Sequence, residues 1–474
     1  MTRCMLISAA LGLVLLAGCA SFEPGKGFDQ VGASVFERSG LRPHWNNGTQ
    51  EDAQAAAAVG ALLGSELSAD GAVQVALLNN RGLQAVYEEL NLAQADVVQA
   101  GLLRNPVFSG ELRFASGGGG QVVVLDVAQD FVSLLAMPLH QRRAEAEFEA
   151  AKLRVTAAVL DAAFEVRTAF YGYQAAEQAR EMRATVLEAT DAAFELAKRL
   201  RAAGNFRELD LLNERAIFEQ AKVDLAAAES SAAQAREHLN ALMGLWGEQT
   251  VWRAAGRLPA LPDDVAPLKG LEGRAIDASL DLALLQREVE IAARSAAIAR
   301  PWSRLEGAEV GAAAEKDVDG SWTVGPSLSV PIPLFDQGQA APSEADARYR
   351  QAVERTFARA VEVRARVRAA HAGMAAAHAR ARYYQQVILP LRQRLVDETQ
   401  LQYNAMQVSP FQLLQARRDQ VEAGAAYVAS LHGYWRASAE LDHVLAGRLT
   451  PFAATGQSLE STTSTAGGAG SGGH

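Results

Sequence analysis

The sequence predicts a mainly α protein that carries membrane β, built from two copies of one unit: a helix, a β-hairpin and a long α-hairpin. Three observations predict it. The chain repeats itself about two hundred residues apart, four short segments alternate with period two, and two segments of near sixty residues hold almost no helix breakers.

The repeat comes first. Glu89 and Ala93, within Gln84–Ala100, match Glu288 and Ala292 within Leu284–Ala299 at an offset of 199. Leu160-Asp161, Val166-Arg167 and Gly172 return as Val361-Glu362, Val367-Arg368 and Gly373 at an offset of 201. Leu211-Leu212-Asn213 and Arg215 return as Leu413-Leu414-Gln415 and Arg417 at an offset of 202. So small a drift leaves room for almost no insertions, and a unit this long is a duplicated domain, not a solenoid repeat.

The boundaries follow: 69–247 for the first copy, 272–448 for the second and 248–271 for a linker holding Pro259–Pro267. The Gly/Ser/Thr-rich end, 449–474, reads as a disordered tail. Residues 1–18 read as a signal peptide, with Arg3, a short apolar run Met5–Leu16, and small residues before Cys19. Leu16-Ala17-Gly18-Cys19 matches a bacterial lipobox, so residues 19–68 form a lipidated N-terminal segment acylated at Cys19. Ala20 follows where an aspartate would retain a lipoprotein at the inner membrane, which favours the outer membrane. Cys4 leaves with the signal, and the remaining cysteine is committed to lipid. No intramolecular disulfide, thiolate metal site or cysteine nucleophile can then form.

A net charge of −10 and a pI near 5.5 exclude nucleic acid as a partner, which would need a basic face. Beyond the signal no apolar run approaches ~20 residues, so the chain has no helical membrane span. Abundant alanine and few aromatics suit long, closely packed helices.

Each copy opens with a helix, about Ala69–Leu103 in the first. Asn105-Pro106 stops it, since a residue before proline is pushed out of the helical region, and Arg300-Pro301 repeats the signal. The strands come next. Ser321–Ile332 sets Trp322, Val324, Leu328, Val330 and Ile332 against Ser321, Thr323, Gly325, Ser327 and Ser329. Val107–Ala115 sets Phe108, Leu112 and Phe114 against Ser109, Glu111 and Arg113. Gln121–Phe131 sets Val123, Leu125, Val127 and Phe131 against Asp126 and Asp130, while Leu305–Ala314 is Gly- and Ala-rich. Gly117–Gly120 and Asp317–Gly320 join the hairpins. Such alternation over roughly ten residues fits a strand with one face to lipid and one to water. Four strands cannot close a barrel, and open edges are not tolerated in lipid. Either they pair in a soluble sheet or several chains pool them; three chains would supply twelve.

The long helices are read as Glu145–Arg201 and Glu344–Asn404, interrupted only by Pro390 and each on the order of 90 Å long. Val155, Val159, Val166, Phe170 and Tyr173 form a coiled-coil seam. Gly204-Asn205 and Ser409-Pro410 turn the chain, and the returning helices reach about Leu245 and Leu445.

Other features read as structure. His371 and His378 share a helix face, but no carboxylate completes a metal-ligand set, so they read as solvated or core histidines. Asp263-Asp264 and Asp397-Glu398 read as solvated charge. No triad, phosphate loop or zinc motif is present. The chain is therefore expected to have no catalytic residue, metal site or cofactor.

Together, the lipobox, the duplicated order of elements and Pro331-Ile332-Pro333-Leu334-Phe335-Asp336-Gln337-Gly338 before the second long helix resemble the outer membrane factor family of bacterial efflux systems. These are TolC-like proteins, and the lipid anchor points to the metal- and drug-efflux lipoprotein branch. The resemblance covers about Ala69–Gly447. It implies a homotrimer, with a twelve-stranded β-barrel in the outer membrane continuous with a twelve-helix α-barrel in the periplasm. It also implies two partners, a periplasmic adaptor protein and an inner-membrane pump. Adaptor docking falls on the hairpin tips, at Gly204, Asn205, Phe206 and Arg207, and at Val408, Ser409 and Pro410. Ser409-Pro410 alternatively serves the turn alone. In the second tip Met406 replaces the glycine. The family gate carries acidic residues where this chain has Gln412 and Gln415, which leaves Asp210 as the acidic gate candidate and no strong anionic ring.

The expected function is a passive exit duct in the outer membrane, fed by the pump through the adaptor. It would open when the hairpin ending at Met406–Pro410 shifts. The alternative is a lipid-anchored periplasmic coiled-coil scaffold without a pore.

Overall fold

The computed structural model describes residues 22–114, 121–302, 308–332, 334–335 and 338–449. Cys19 and the signal, the loop Gly117–Gly120, and the tail beyond residue 449 lie outside the described residues.

Ahead of the first copy stand α1 (Phe28–Ser39), α2 (Gln50–Gly64) and β1 (Glu66–Leu67). The first copy comprises α3 (Ala69–Asn79), α4 (Arg81–Ala100), β2 (Val107–Phe114), β3 (Gln121–Asp130), α5 (Phe131–Ala202) and α6 (Glu208–Met243). A short β4 (Arg253–Ala254) pairs in parallel with β1. The second copy follows with α7 (Leu271–Ala278), α8 (Leu280–Trp302), β5 (Glu309–Lys316), β6 (Trp322–Ser329), α9 (Ala340–Tyr383), α10 (Leu389–Asn404) and α11 (Pro410–Leu445). A π-turn, Tyr384–Ile388, joins α9 to α10.

Several expected boundaries are corrected. The opening helix of each copy is two helices, because Asn80 and Ser279 cap a new start inside the apolar pattern. Asn80 Oδ1 accepts from the amides of Gly82 (2.7 Å) and Leu83 (3.2 Å), and Ser279 Oγ from that of Leu282 (3.2 Å). Helix α4 ends at Ala100, short of Asn105-Pro106, while α8 runs through Pro301 to Trp302, so Arg300-Pro301 is not a stop. The first long helix starts at Phe131 rather than Glu145, with Pro138 inside it, because Asp130 Oδ1 caps the amide of Ser133 at 2.9 Å. Strand β5 lies later than Leu305–Ala314, and β6 ends at Ser329 rather than Ile332.

The four strands form one antiparallel sheet in the order β2-β3-β5-β6, so strands of both copies share it. Phe108 faces Val127, which faces Ala312, which faces Pro326; Leu125, Ala314 and Val324 align in the same way. One face is thereby apolar, and it stands open: Phe108, Leu112, Phe114, Val324 and Leu328 are all exposed. On the other face Ser327 Oγ donates to Asp126 Oδ1 at 2.8 Å. That bond passes over Gly311, where an added Cβ would lie 2.7 Å from Ser327 Oγ.

Each copy has its own core. The expected seam of Val155, Val159, Val166, Phe170 and Tyr173 is buried against Val73, Leu77, Tyr87 and Leu239. Its counterpart joins Val363, Val367 and Met374 to Leu271, Tyr434 and Val444. Residues before the first copy fold onto the first core through Val31, Val35, Trp45 and Val59.

An ionic clasp joins the copies. Asp161 accepts from Arg448 Nε (2.9 Å) and Nη2 (2.7 Å), and His443 Nε2 lies 3.1 Å away. Arg448 Nη1 also donates to Asp281 at 2.6 Å. From α1, Arg38 Nη1 donates to the carbonyls of Ala278 (2.5 Å) and Ala446 (2.8 Å), tying down two helix ends of the second copy. Burial opposes the charge on Asp161, yet hydrogen bonds from His443 and Arg448 outweigh it and hold its carboxyl below the usual range. Asp442 is the reverse: burial pushes its carboxyl up, and Arg167 only partly offsets this.

The signs give a paired prediction. The stabilisation from Asp161 is complete above about pH 4 and lost as pH falls through its depressed folded value. Asp161→Asn should cost about 1–2 kcal/mol near neutrality, less than a fully buried pair because its side chain is 37% exposed. Asp442 acts oppositely, since its penalty grows as pH rises above about 4, so Asp442→Asn should be neutral or stabilising at pH 7. Thermal unfolding of both variants in detergent between pH 3 and 7 checks this; equal responses would contradict it.

Candidate functional site

The two hairpin tips lie at the far end of the long helices from the sheet. Helix α5, at 72 residues, is about 108 Å long, so the molecule separates two regions of different chemistry by that distance.

Both tips close by the same backbone device. In the first, the Gly204 amide donates to Arg201 O (3.0 Å) and that of Asn205 to Leu200 O (2.9 Å), with Gly204 at φ 78°. In the second, the Met406 amide donates to Tyr403 O (2.9 Å) and that of Gln407 to Gln402 O (2.9 Å). Met406 takes φ 57°, the one non-glycine residue in the left-handed region among the described residues, and is 94% exposed. The tight turn is therefore kept without glycine, at a cost of roughly 1–2 kcal/mol.

The return helices start differently. Arg207 precedes α6 and pairs through Nε and Nη2 with Asp210 at 2.8 and 3.0 Å. Arg201 Nε meets Glu208 at 3.0 Å, and its Nη1 donates to Phe206 O at 3.2 Å. Ser409 caps α11 in a reciprocal box, its amide donating to Gln412 Oε1 at 3.0 Å and its Oγ accepting from the Gln412 amide at 3.4 Å. Pro410 occupies the first helical turn, where no amide donor is needed.

The structure places the three gate candidates in separate local roles. Asp210 is neutralised by Arg207, and Gln412 is spent on the capping box. Gln415 Nε2 donates to Asp419 Oδ1 at 2.6 Å, and Asp419 Oδ2 accepts from Arg392 of α10 at 3.0 Å. Arg418 bonds back to Gln415 Oε1. Burial pushes the Glu214 carboxyl up, with Arg418 opposing it from the other copy. Of the docking residues, Phe206 stacks on Phe411 of the second copy, with ring centroids 4.9 Å apart and planes at 24°. This contact joins the two tips of one protomer. Phe411, Asp419 and Arg392 were not expected from sequence, since no repeat correspondence pairs Phe206 with Phe411.

The two histidines singled out by spacing have structural partners. His371 Nε2 lies 2.8 Å from Ala266 O and His378 Nε2 2.8 Å from Pro262 O, pinning the linker to α9. Among the described residues no group of three or more His, Cys, Asp or Glu side chains could hold a metal ion.

Met406→Gly should stabilise the second tip by about 1 kcal/mol, less any entropy that glycine adds to the unfolded chain. Gln412→Ala should weaken the start of α11 by about 0.5–1 kcal/mol through loss of the box. Amide exchange at residues 404–414 checks both, with slower exchange expected in the first variant and faster in the second.

Comparisons with known proteins agree with this architecture. The sequence profile described as "Outer membrane efflux protein" matches residues 72–245 and 280–447, one stretch in each copy. The cobalt-zinc-cadmium resistance protein CzcC of Cupriavidus metallidurans is 23% identical over 386 residues, covering 80% of this chain and 90% of that protein. The CmeC outer membrane channel of Campylobacter jejuni superposes with a TM-score of 0.67 at 14% identity, over 80% of this chain and 85% of that one. The open MtrE outer membrane channel of Neisseria gonorrhoeae gives 0.63 at 18% identity, over 80% and 89%. With most of its length matched in two successive blocks, the chain belongs to the outer membrane efflux protein family.

Proposed function

We propose that this protein is the outer membrane exit duct of a tripartite efflux system. It conducts passively the solutes that an inner-membrane pump delivers through a periplasmic adaptor, and it is not an enzyme. The observation that carries the reading is the four-stranded sheet, apolar and exposed on one face, with β2 and β6 left as edges. Strand edges in hydrocarbon leave backbone groups without partners, at several kcal/mol each, so a lone protomer cannot rest there. Three protomers sharing twelve strands satisfy every edge and give an even-stranded barrel of ordinary size.

The helical part supports the same assembly. An exposed apolar stripe at Tyr383, Val387, Leu391 and Leu395 recurs every four residues, where a neighbouring protomer would cover it. On this reading Cys19 carries the acyl chains that add a second hold on the outer membrane. The tips around Gly204–Arg207 and Val408–Pro410 meet the adaptor, and Asp210, Gln412 and Gln415 stand at the periplasmic gate. The Phe206–Phe411 stack and the Gln415–Asp419–Arg392 chain are the contacts that opening must rearrange. Selection among solutes belongs to the pump.

Planar-bilayer recording of the detergent-extracted protein tests the reading. A heat-modifiable trimer with discrete single-channel steps is expected, while a water-soluble, non-conducting monomer after loss of Cys19 would establish the scaffold instead. Phe411→Ala should raise mean conductance several-fold, the stack being worth about 0.5–1.5 kcal/mol. The double change of Gln412 and Gln415 to alanine should raise it too; unchanged conductance would remove those two from the gate.

A further inference from the structure

The two hairpins differ at one place that the repeat offset itself marks. Copy two runs 201 residues behind copy one at Gly172 and Gly373, and 202 behind at the tips, where Leu200 and Gln402 accept the same closing bond. One extra residue therefore lies in the second copy between Gly373 and Gln402. Within that span α9 gives way to the π-turn Tyr384–Ile388, whose wider ring of hydrogen bonds takes up a residue without ending the helix. Pro390 follows at once. It has no amide to donate back toward Gln386, so the ladder is weakened on both counts. The first copy passes the same level as uninterrupted α5.

Packing follows the same division. Along α5, Val186, Thr190, Ala193 and Ala197 are all buried within the protomer. Across the matching stretch of the second copy, between Ala381 and Ala423, Val396 is the one buried residue. Above the π-turn the chain is anchored, since His378 meets Pro262 O and Arg382 Nη1 donates to Asp263 O at 3.3 Å. Below it, α10 is tied mainly to its own return helix: Arg392 to Asp419, and Gln393 to Gln420. Gly424 lies in the interior of α11 on the side toward α5, where an added Cβ would sit 3.5 Å from Met182 Cε, and a glycine inside a helix weakens it. The first copy has Lys222 at the corresponding place, paired with Glu219. A cavity of about 320 Å³, lined by Thr185, Val186 and Ala189 of α5 and Leu414, Arg418 and Val421 of α11, leaves room beside the lower part.

We propose that Tyr384–Ile388, with Gly424 a weak point in the return helix, is a hinge about which residues 389–421 swing as one unit while the first hairpin stays a stiff rod. The inference rests on the duct reading, because the swing is the motion that would widen the periplasmic end. It deepens that reading by locating the bend at the inserted residue instead of at the tip.

Pulsed electron paramagnetic resonance on the full-length lipoprotein tests it. One nitroxide pair, Lys269→Cys with Glu398→Cys, spans the π-turn, and a second, Lys269→Cys with Glu195→Cys, spans the same length of the first copy. All three sites are exposed, and Cys19 is taken up by lipid on this reading, so labelling is confined to the introduced thiols. The hinge requires a broader distance distribution for the Glu398 pair than for the Glu195 pair, widening further with Phe411→Ala. Equal widths, with and without Phe411→Ala, would overturn it, since a π-turn that merely stores an extra residue leaves the rod stiff. Conductance separates the two ideas: a swinging hairpin in a trimer that passes no current contradicts the duct and leaves the hinge standing.

Discussion

Hydrocarbon offers no hydrogen-bond partner, and that single fact governs how this chain must be used. Among the described residues of a protomer, β3 and β5 are paired on both sides, whereas β2 and β6 each leave one row of amides and carbonyls without strand partners. The exposed rings of Phe108, Phe114 and Trp322 show which face is suited to lipid. A sheet with that face and those edges is incomplete alone, and the same edges that make it incomplete are what copies can share.

Duplication then explains how one chain builds a sheet at one end and a pair of helical tips at the other. Each copy contributes a hairpin to the sheet and a helical hairpin to the opposite end, so neither end belongs to one copy alone. The copies are held in register near the middle, where Asp161 of the first meets Arg448 and His443 of the second. Burial makes these ions expensive and their bonds make them tolerable, which is why the clasp fixes geometry more than it adds stability. The long helices can therefore differ below the clasp without disturbing the sheet above it. Met406 and the π-turn are both such differences, and both lie in the second copy.

How much of this the sequence disclosed depends on the range of each signal. Period-two alternation in Trp322–Ser329 and the Val155–Tyr173 seam extend over several residues, and they read correctly. Breaks decided by one side chain did not. Asn80 and Ser279 each divide an apolar pattern that continues across them, and Pro301 sits in a helix that accommodates it. The π-turn was present only as a change of one in the repeat offset, visible as arithmetic but not as structure. At the tips, Gly204 and Ser409-Pro410 announced turns, whereas the Phe206–Phe411 stack joins positions that the repeat does not equate. A contact between copies has no local pattern to betray it.

On the duct reading, partner copies satisfy the two open strand edges in lipid. Residue-resolved amide exchange of β2 and β6 in the membrane-embedded protein measures that directly. The account predicts that outward amides of both edge strands are as protected as those of β3 and β5, and become exchangeable when protomers are separated in detergent. Rapid exchange along both edges in the intact membrane would contradict it.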